Sequence, residues 1–182
     1  GHKADIYEGG HRVAFIAQWP AKVKAGSRSN QIICSTDLLA TCAEIVGSDY
    51  PDNAGEDSVS ILPALTGADK KPLREAVVHH SINGSFAIRK GEWKLAFCPG
   101  SGGWSDPRPG RANMEGLPHH QLYNLVKDRG ETVNLVNEKP EIVEELTLLM
   151  SDYIARGRST PGENQENEGD TPFQYQPPTP KK

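Results

Sequence analysis

The chain has 182 residues, of which 36% are hydrophobic and 24% are charged, and this length fits one domain or one and a half. Its 20 basic and 24 acidic residues give a formal net charge of -4, and because no basic stripe is present the charge pattern gives a nucleic-acid partner no electrostatic support. The longest apolar runs are only a few residues long, whereas a membrane span needs about 20, so no transmembrane helix is predicted.

The first segments after the N-terminus are short. A Gly-rich polar turn at residues 7–12 is followed by the apolar run 13–19, which Pro20 stops. Because this run is too short for a stable helix and is bounded by Gly and Pro, it predicts a buried strand. Residues 31–34 predict a second short strand after a turn.

A helix is predicted next, beginning at Ser35 or Thr36 and ending at Gly47. The prediction rests on five apolar residues that recur at helical spacing, namely Leu38, Leu39, Cys42, Ile45 and Val46. After a polar loop, residues 59–65 predict a short helical turn that ends at Gly67.

The clearest local pattern is a β-meander from residue 76 to residue 97. Asn83-Gly84 separates two runs rich in β-forming residues, and this pair favours a tight hairpin because both residues tolerate positive φ. In the third run, apolar residues alternate with others, which predicts a strand with one buried face. The residues of that face are Trp93, Leu95 and Phe97.

A loop, a strand, a helix and a tail complete the chain. Residues 99–120 are rich in Gly and Pro and predict a surface loop, and residues 121–125 predict a fourth strand. A long amphipathic helix is predicted from Pro140 to Gly157, with charges that suit the helix dipole at both ends. We expect this helix to cover one face of the antiparallel sheet. Residues 158–182 contain five prolines and few large apolar residues, which predicts an extended or disordered tail.

The most specific motif lies in the first 13 residues. Lys3 precedes Tyr7-Glu8-Gly9-Gly10 by four positions, and Arg12 follows the glycine pair. This segment resembles the second signature of the type I sulfatases, the arylsulfatase family of the alkaline-phosphatase superfamily. Four later segments resemble further elements of that family in consistent order, namely residues 36–41, 60–67, 87–95 and 122–135.

The resemblance implies an α/β fold, the C-terminal part of a sulfatase or alkaline-phosphatase-like structure. Residues 1–70 would be the end of the catalytic α/β domain, residues 71–157 a subdomain in which a helix packs on a small four-stranded antiparallel sheet, and residues 158–182 the tail. It also implies a hydrolase that cleaves sulfate esters, such as aryl sulfates or sulfated carbohydrates, using a formylglycine nucleophile and a calcium ion. The family's usual export implies a periplasmic or secreted location.

The chain departs from the family pattern at the reacting centre. The family's nucleophile motif, a Cys or Ser followed by Pro and Arg, is absent, and none of the three cysteines, Cys34, Cys42 and Cys98, has that context. The cysteines also form no CxxC pair and no metal-ligand pattern. We therefore expect the formylglycine and the calcium ligands upstream of Gly1, assign no metal ligand here, and expect the chain alone to be inactive.

Lys3 is the predicted catalytic residue, because by position it matches the family's sulfate-contacting lysine. A sulfate ester loses its leaving oxygen as an anion, and a fixed ammonium group near that charge stabilises the transition state. Outside the motif, a lysine at a chain end would be interpreted as a solvated surface residue. We expect Glu8 and Arg12 to pair and brace the turn at Gly9-Gly10, where missing side chains permit close backbone approach.

Four further residues are candidate substrate contacts. His79 and His80 are neighbours on a predicted strand, so their side chains point to opposite faces and do not easily chelate one metal; the alternative is that one is packed and the other exposed. His11 flanks the motif, and the ring of Trp104 offers a surface for stacking on a sugar, the alternative being a surface hydrophobic anchor. The pair His119-His120 is predicted to be solvated.

Two alternative functions stay open at the level of sequence. The first is a phosphate or phosphonate ester hydrolase of the same superfamily, since sulfate and phosphate are both tetrahedral oxyanions that one lysine does not distinguish. The second is a non-catalytic carbohydrate-binding module that retains the sheet. A nucleophile motif in the upstream coding sequence would favour an enzyme over the module.

Overall fold

The computed structural model describes residues 1–174, so the predicted tail beyond residue 174 lies outside the described residues. The helices are α1 (Glu8–His11), α2 (Leu38–Val46), α3 (Leu62–Thr66) and α4 (Pro140–Arg156), and the strands are β1 (Val77–His80), β2 (Phe86–Lys90), β3 (Trp93–Ala96) and β4 (Gln121–Asn124). Short 3-10 helices cover Ser35–Asp37 and Ala112–Met114. None of the described helices is long and apolar enough to cross a membrane.

The chain folds into two compact units. One contains residues 1–13 and 78–150 and the described residues from 169 onward, and the other contains residues 14–77 and 151–168. The predicted domain boundaries at residues 70 and 157 concern the whole protein and stay a prediction.

The first unit is built on the predicted sheet. Its four strands are hydrogen-bonded in the order β1-β2-β3-β4, which confirms the meander and the fourth strand. Gly84 in the first turn has φ +83°. This is the left-handed conformation that an Asn-Gly pair adopts readily and that makes it a hairpin signal. The register places Ile88 opposite Leu95 and Leu95 opposite Leu122, and all three are fully buried.

The sheet is buried on both faces, and the prediction of one buried face for β3 is therefore wrong. Ala87 lies opposite Ala96 on the second face, and both are buried in a cluster with Ile6 and Cys98. The N-terminal segment covers this face, and its proximity is possible because the two alanines are small. The sequence pattern of β3 does not show that residues 1–13 cover its second face, because this contact joins segments that are far apart in the chain.

The long helix is confirmed at both ends. α4 begins at Pro140 and is followed by Gly157 at φ +61°. Its buried side chains are spaced four and three residues apart on one face, namely Leu146, Met150 and Tyr153. An ion pair of 2.9 Å between Lys90 Nζ on β2 and Glu145 Oε1 joins this helix to the sheet.

In the second unit the helices are confirmed and the strands are not. α2 and α3 end at Gly47 and Gly67, with φ +66° and +74°. Residues 13–19 and 31–34 form no strand, and Ile16 is 90% exposed. A strand needs a neighbouring strand for its backbone hydrogen bonds, and these segments pair with none among residues 1–174.

The first described part of the tail is anchored within this unit, although residues 158–174 form no helix or strand. Arg158 is 5% exposed, and its Nη1 lies 2.8 Å from Asp52 Oδ2. The Thr160 hydroxyl donates to the Glu56 carbonyl oxygen at 2.6 Å. Polar contacts rather than apolar burial therefore hold this segment, which is consistent with its composition.

The glycine pair of the N-terminal motif permits the close backbone approach that the sequence predicted. A Cβ atom at Gly9 would overlap the carbonyl oxygen of Gly1, and one at Gly10 would overlap the carbonyl oxygen of Asp5. Both obstacles are backbone atoms, which cannot move aside as a flexible side chain can.

We therefore expect Gly10→Ala to lower the free energy of unfolding by about 1–3 kcal/mol, the usual range for overpacking. Urea denaturation of the protein measures this change. Gly169→Ala is the matched control, because no atom lies within 4 Å of a Cβ atom built there. Equal stability of the two variants would contradict the close approach.

Candidate functional site

Lys3 lies at the tip of a tight turn. The Asp5 backbone N–H donates to the His2 carbonyl oxygen at 3.1 Å, and Ala4 has φ +86°, the value for the third position of a type II turn. Glycine is the usual residue at that position, and an alanine there costs about 1–2 kcal/mol. The side chain of Lys3 is exposed and makes no ion pair with a described residue.

The Asp5 carboxylate connects the Lys3 turn to the loop that carries Trp104. Asp5 is 2% exposed, and its Oδ2 accepts from the His2 backbone N–H at 2.7 Å. Its Oδ1 accepts from the backbone N–H groups of Trp104 at 2.8 Å and Ser105 at 3.0 Å. Burial raises the pKa of Asp5, but the hydrogen bonds from Ser105, His2 and Trp104 outweigh it and lower the pKa to about 2.

Further contacts reinforce this junction. The Ile6 N–H donates to the Ser101 carbonyl oxygen at 2.8 Å, and Ser105 Oγ lies 2.6 Å from His2 Nδ1. Gly103 is closely packed, since a Cβ atom there would lie 2.6 Å from Asp5 Oδ1. The structure thus brings the turn of Lys3 and the loop of Trp104 together, and Trp104 is 48% exposed beside it.

A buried charge cluster lies behind the motif. Lys94 on β3 is fully buried, and its Nζ lies 2.7 Å from Glu131 Oε1 and 3.4 Å from Glu8 Oε1. Glu131 Oε2 also accepts from the Glu8 backbone N–H at 2.6 Å. Burial lowers the pKa of Lys94, and the two carboxylates act in the opposite direction. One lysine therefore joins the N-terminal motif to the sheet and to the turn after β4.

The predicted pair between Glu8 and Arg12 is confirmed, at 3.5 Å between Glu8 Oε2 and Arg12 Nη1. The same oxygen lies 3.6 Å from Arg89 Nη1 on β2. Burial raises the pKa of Glu8, but the His11 hydrogen bond and the charges of Lys94 and Arg89 outweigh it and lower the pKa to about 2. Glu8 is thus an ionised brace inside the fold.

The two histidines His11 and His79 stack on one another, with ring centroids 3.6 Å apart. His11 Nε2 lies 3.2 Å from Glu8 Oε1, whereas His11 Nδ1 and His79 Nε2 are buried without a hydrogen-bond partner among the described residues. Burial, followed by the charges of His11 and Lys94, lowers the pKa of His79 to about 2, so this imidazole is neutral.

The remaining predicted contacts lie in different surroundings. His80 is exposed, whereas its neighbour His79 is half-buried and stacks on His11. This matches the alternative in which one histidine of the pair is packed and the other is exposed. The prediction of a solvated His120 is wrong, because this ring is half-buried and meets Phe97 edge-on at 5.5 Å. Phe97 also meets Phe173 edge-on at 4.8 Å, which provides the apolar surroundings.

Three residues that organise the site were missed at the level of sequence: Asp5, Lys94 and Glu131. Asp5 lies inside the recognised motif, but two of the three backbone N–H groups that donate to it come from a loop about a hundred residues away. Lys94 alternates with apolar residues and was therefore not among the residues of the predicted buried face. Glu131 belongs to a segment that resembles the family's last strand and turn, and this was the only signal.

The described residues contain no group of three or more His, Cys, Asp or Glu side chains that could hold a metal ion. These residues therefore do not fit a calcium ion. The chemistry that residues 1–174 can supply is an exposed ammonium group on a rigid turn beside an exposed indole ring.

No family model matches the chain. The N-acetylgalactosamine-6-O-sulfatase of Bacteroides thetaiotaomicron is 33% identical over 159 residues, which are 86% of this chain and 30% of that protein. Arylsulfatase A of Homo sapiens is 32% identical over 160 residues, which are 81% of this chain and 31% of that protein. The chain belongs to the sulfatase family and spans about 30% of the length of these relatives.

Solved structures agree with this assignment. One protein, solved in work on glycosaminoglycan metabolism by Bacteroides thetaiotaomicron, matches with TM-score 0.68 and 33% identity over 82% of this chain and 30% of that chain. A second, in complex with its substrate D-glucosamine-2-N,6-O-disulfate, matches with TM-score 0.55 and 22% identity over 74% of this chain and 26% of that chain, a likeness of fold. The predicted fold class is confirmed.

The stacked histidines predict a pH dependence of stability. Below the ordinary pKa of 6.5, the unfolded chain protonates His79 and the native state, with a pKa of about 2, does not. The free energy of unfolding should therefore fall as the pH decreases from 6.5, by up to about 1.4 kcal/mol per pH unit for one proton. Glu8 adds a loss of the same sign below its ordinary value of 4.5.

Urea denaturation between pH 7 and pH 5 measures this slope. We expect His79→Gln to flatten it and His80→Gln, which replaces the exposed neighbour, to retain it. Equal slopes for both variants would show that His79 is not buried as a neutral ring.

Proposed function

We propose that the protein containing this chain hydrolyses sulfate esters, and that its substrates are sulfated carbohydrates. The observation that carries the proposal is membership of the sulfatase family over most of the chain, with a relative named for removal of a 6-O-sulfate from N-acetylgalactosamine. The exposed Lys3 ammonium group supports it, because a sulfate ester needs a cation where its charge develops.

Lys3 is the proposed catalytic residue. Its ammonium group would contact the sulfuryl oxygens and stabilise the charge that accumulates as the ester bond breaks. A lysine is a compact point charge with three donors, which suits a tetrahedral oxyanion. The turn geometry supports this role, since the buried Asp5 carboxylate accepts from the His2 N–H and so closes the turn that contains Lys3 and Ala4.

The proposed contacts to the sugar are His11, His79, His80 and Trp104. Trp104 offers a half-exposed ring on the loop tied to the Lys3 turn, a surface on which an apolar sugar face stacks. His80 is exposed and offers a hydrogen-bonding edge. His11 and His79 are half-buried and stacked, so their role would be to shape the wall behind the exposed groups.

The nucleophile and the metal of the proposed reaction lie outside this chain. We propose a formylglycine as nucleophile and a calcium ion, both held by residues of the same protein that precede Gly1. We also propose a periplasmic or secreted location, which rests on the family alone.

Turnover of matched substrates tests the proposed function. The full-length protein, produced with its nucleophile modified, should hydrolyse an aryl sulfate at least a hundredfold faster than the aryl phosphate of the same phenol. The control is a variant in which the nucleophile is replaced by alanine. Preference for the phosphate would favour the phosphatase alternative, and no turnover of either would favour the carbohydrate-binding module.

Lys3→Ala in the full-length protein should lower kcat for the aryl sulfate by about two to three orders of magnitude, the scale for loss of one oxyanion donor. Lys127→Ala is the matched control, because Lys127 is an exposed lysine of the same unit. A loss smaller than threefold in Lys3→Ala would remove this residue from the catalytic machinery.

A further inference from the structure

The position of Lys3 depends on Asp5, a neighbouring residue that is not among the proposed catalytic or substrate-binding residues. The turn of residues 2–5 contains a non-glycine residue, Ala4, at φ +86°. Such a conformation persists only where the surroundings over-determine it, and it is frequent at functional sites. Two groups surround Ala4 here: the Ile82 N–H, which donates to the Ala4 carbonyl oxygen at 2.9 Å, and the carboxylate of Asp5.

The Asp5 side chain reaches both halves of the junction through backbone N–H donors. One oxygen accepts from the His2 N–H at 2.7 Å and closes the turn that presents Lys3. The other accepts from the consecutive N–H groups of Trp104 and Ser105 and fixes the loop that presents the indole ring. A buried carboxylate with three backbone donors is held in place, because both of its oxygens accept from N–H groups of the main chain.

We propose that Asp5 is a positioning residue, which aligns the Lys3 ammonium group with the sulfate ester and keeps it in register with the Trp104 loop. This inference rests on the proposed function for the role of Lys3. Without the carboxylate, the turn at Ala4 can relax to a less strained backbone, and the ammonium group moves away from the reacting oxygens. A displacement of about 1 Å is enough to slow catalysis by about a hundredfold.

The test is a double-mutant cycle in the full-length protein with Asp5→Asn and Lys3→Ala. Asparagine keeps the shape of Asp5 but places an amide N–H against one of the three donors. We expect Asp5→Asn to lower kcat for an aryl sulfate by about 10- to 100-fold, with KM changed less than threefold. If Asp5 acts through Lys3, adding Asp5→Asn to Lys3→Ala should cost less than threefold more.

Asp57→Asn is the matched control, because the Asp57 carboxylate also connects two segments of the chain by hydrogen bonds but does so in the compact unit that does not contain Lys3. Asp57 Oδ1 accepts from the backbone N–H of Ser159 at 3.0 Å and from its hydroxyl at 2.6 Å. Its effect on kcat should be below threefold and should multiply with that of Lys3→Ala. Multiplicative effects of Asp5→Asn and Lys3→Ala would overturn the proposal and leave Asp5 a structural residue.

A second variant keeps the proposal testable if Asp5→Asn does not fold. Ser105→Ala removes the hydroxyl that lies 2.6 Å from His2 Nδ1 and retains the backbone donors. It should lower kcat by about 3- to 10-fold, again with little added loss in the Lys3→Ala background. Multiplicative losses for this variant would likewise overturn the proposal.

Binding of inorganic sulfate separates this inference from the proposed function. Sulfate should raise the Tm of the wild-type protein and of Asp57→Asn, and the rise should be lost in Lys3→Ala and at least halved in Asp5→Asn. A wild-type protein that shows these sulfate shifts but hydrolyses no sulfate ester would overturn the proposed function and support the positioning role. If the wild-type protein shows no sulfate shift and no turnover, the proposed function and the positioning role are both overturned.

Discussion

The first unit depends on a lysine that is fully removed from water. Moving an ammonium group into a protein interior is costly, and the cost is offset only when opposite charges and hydrogen bonds surround it. Lys94 meets this condition through two carboxylates, Glu131 at 2.7 Å and Glu8 at 3.4 Å. Loss of either acid would leave a buried charge only partly compensated, so the three side chains stabilise the unit as a set.

This ion cluster explains why the N-terminal motif contains a glutamate and two glycines. Glu8 must lie against the sheet to reach Lys94, and the chain can approach that closely because Gly9 and Gly10 carry no side chains. The alanines of β2 and β3 leave room for Ile6 on the same face. The motif is therefore a cover for the sheet as well as the carrier of Lys3.

The N-terminal segment contains both buried and exposed charged residues, and the two kinds have different roles. Glu8 and Asp5 are buried acids with pKa values of about 2, and they hold the backbone on either side of Tyr7. Lys3 lies beyond them on a turn with Ala4 at φ +86°, and its side chain is exposed. The proposed stabilisation of a small oxyanion requires such a cation on a turn that hydrogen bonds hold in place.

Much of the fold could be predicted from the sequence, because its signals are local. Gly47, Gly67 and Gly84 mark turns at positive φ, and the Pro140–Gly157 interval contains the long helix. The strand predicted at residues 13–19 failed because strand formation depends on a neighbour, which a run of apolar residues does not contain. The predicted burial of this run is wrong as well, since Val13 is 83% and Ile16 is 90% exposed.

The sequence by itself determined the family, the order of the helices and of the four sheet strands, and the lysine at the head of the motif, since each is written in a short run of residues. Only the tertiary structure decided which charges are buried and which residues hold that lysine. Glu8 and Glu131 are separated by 123 positions, and Asp5 and Trp104 by 99. Contacts at such separations arise from chain packing, and no local pattern encodes them.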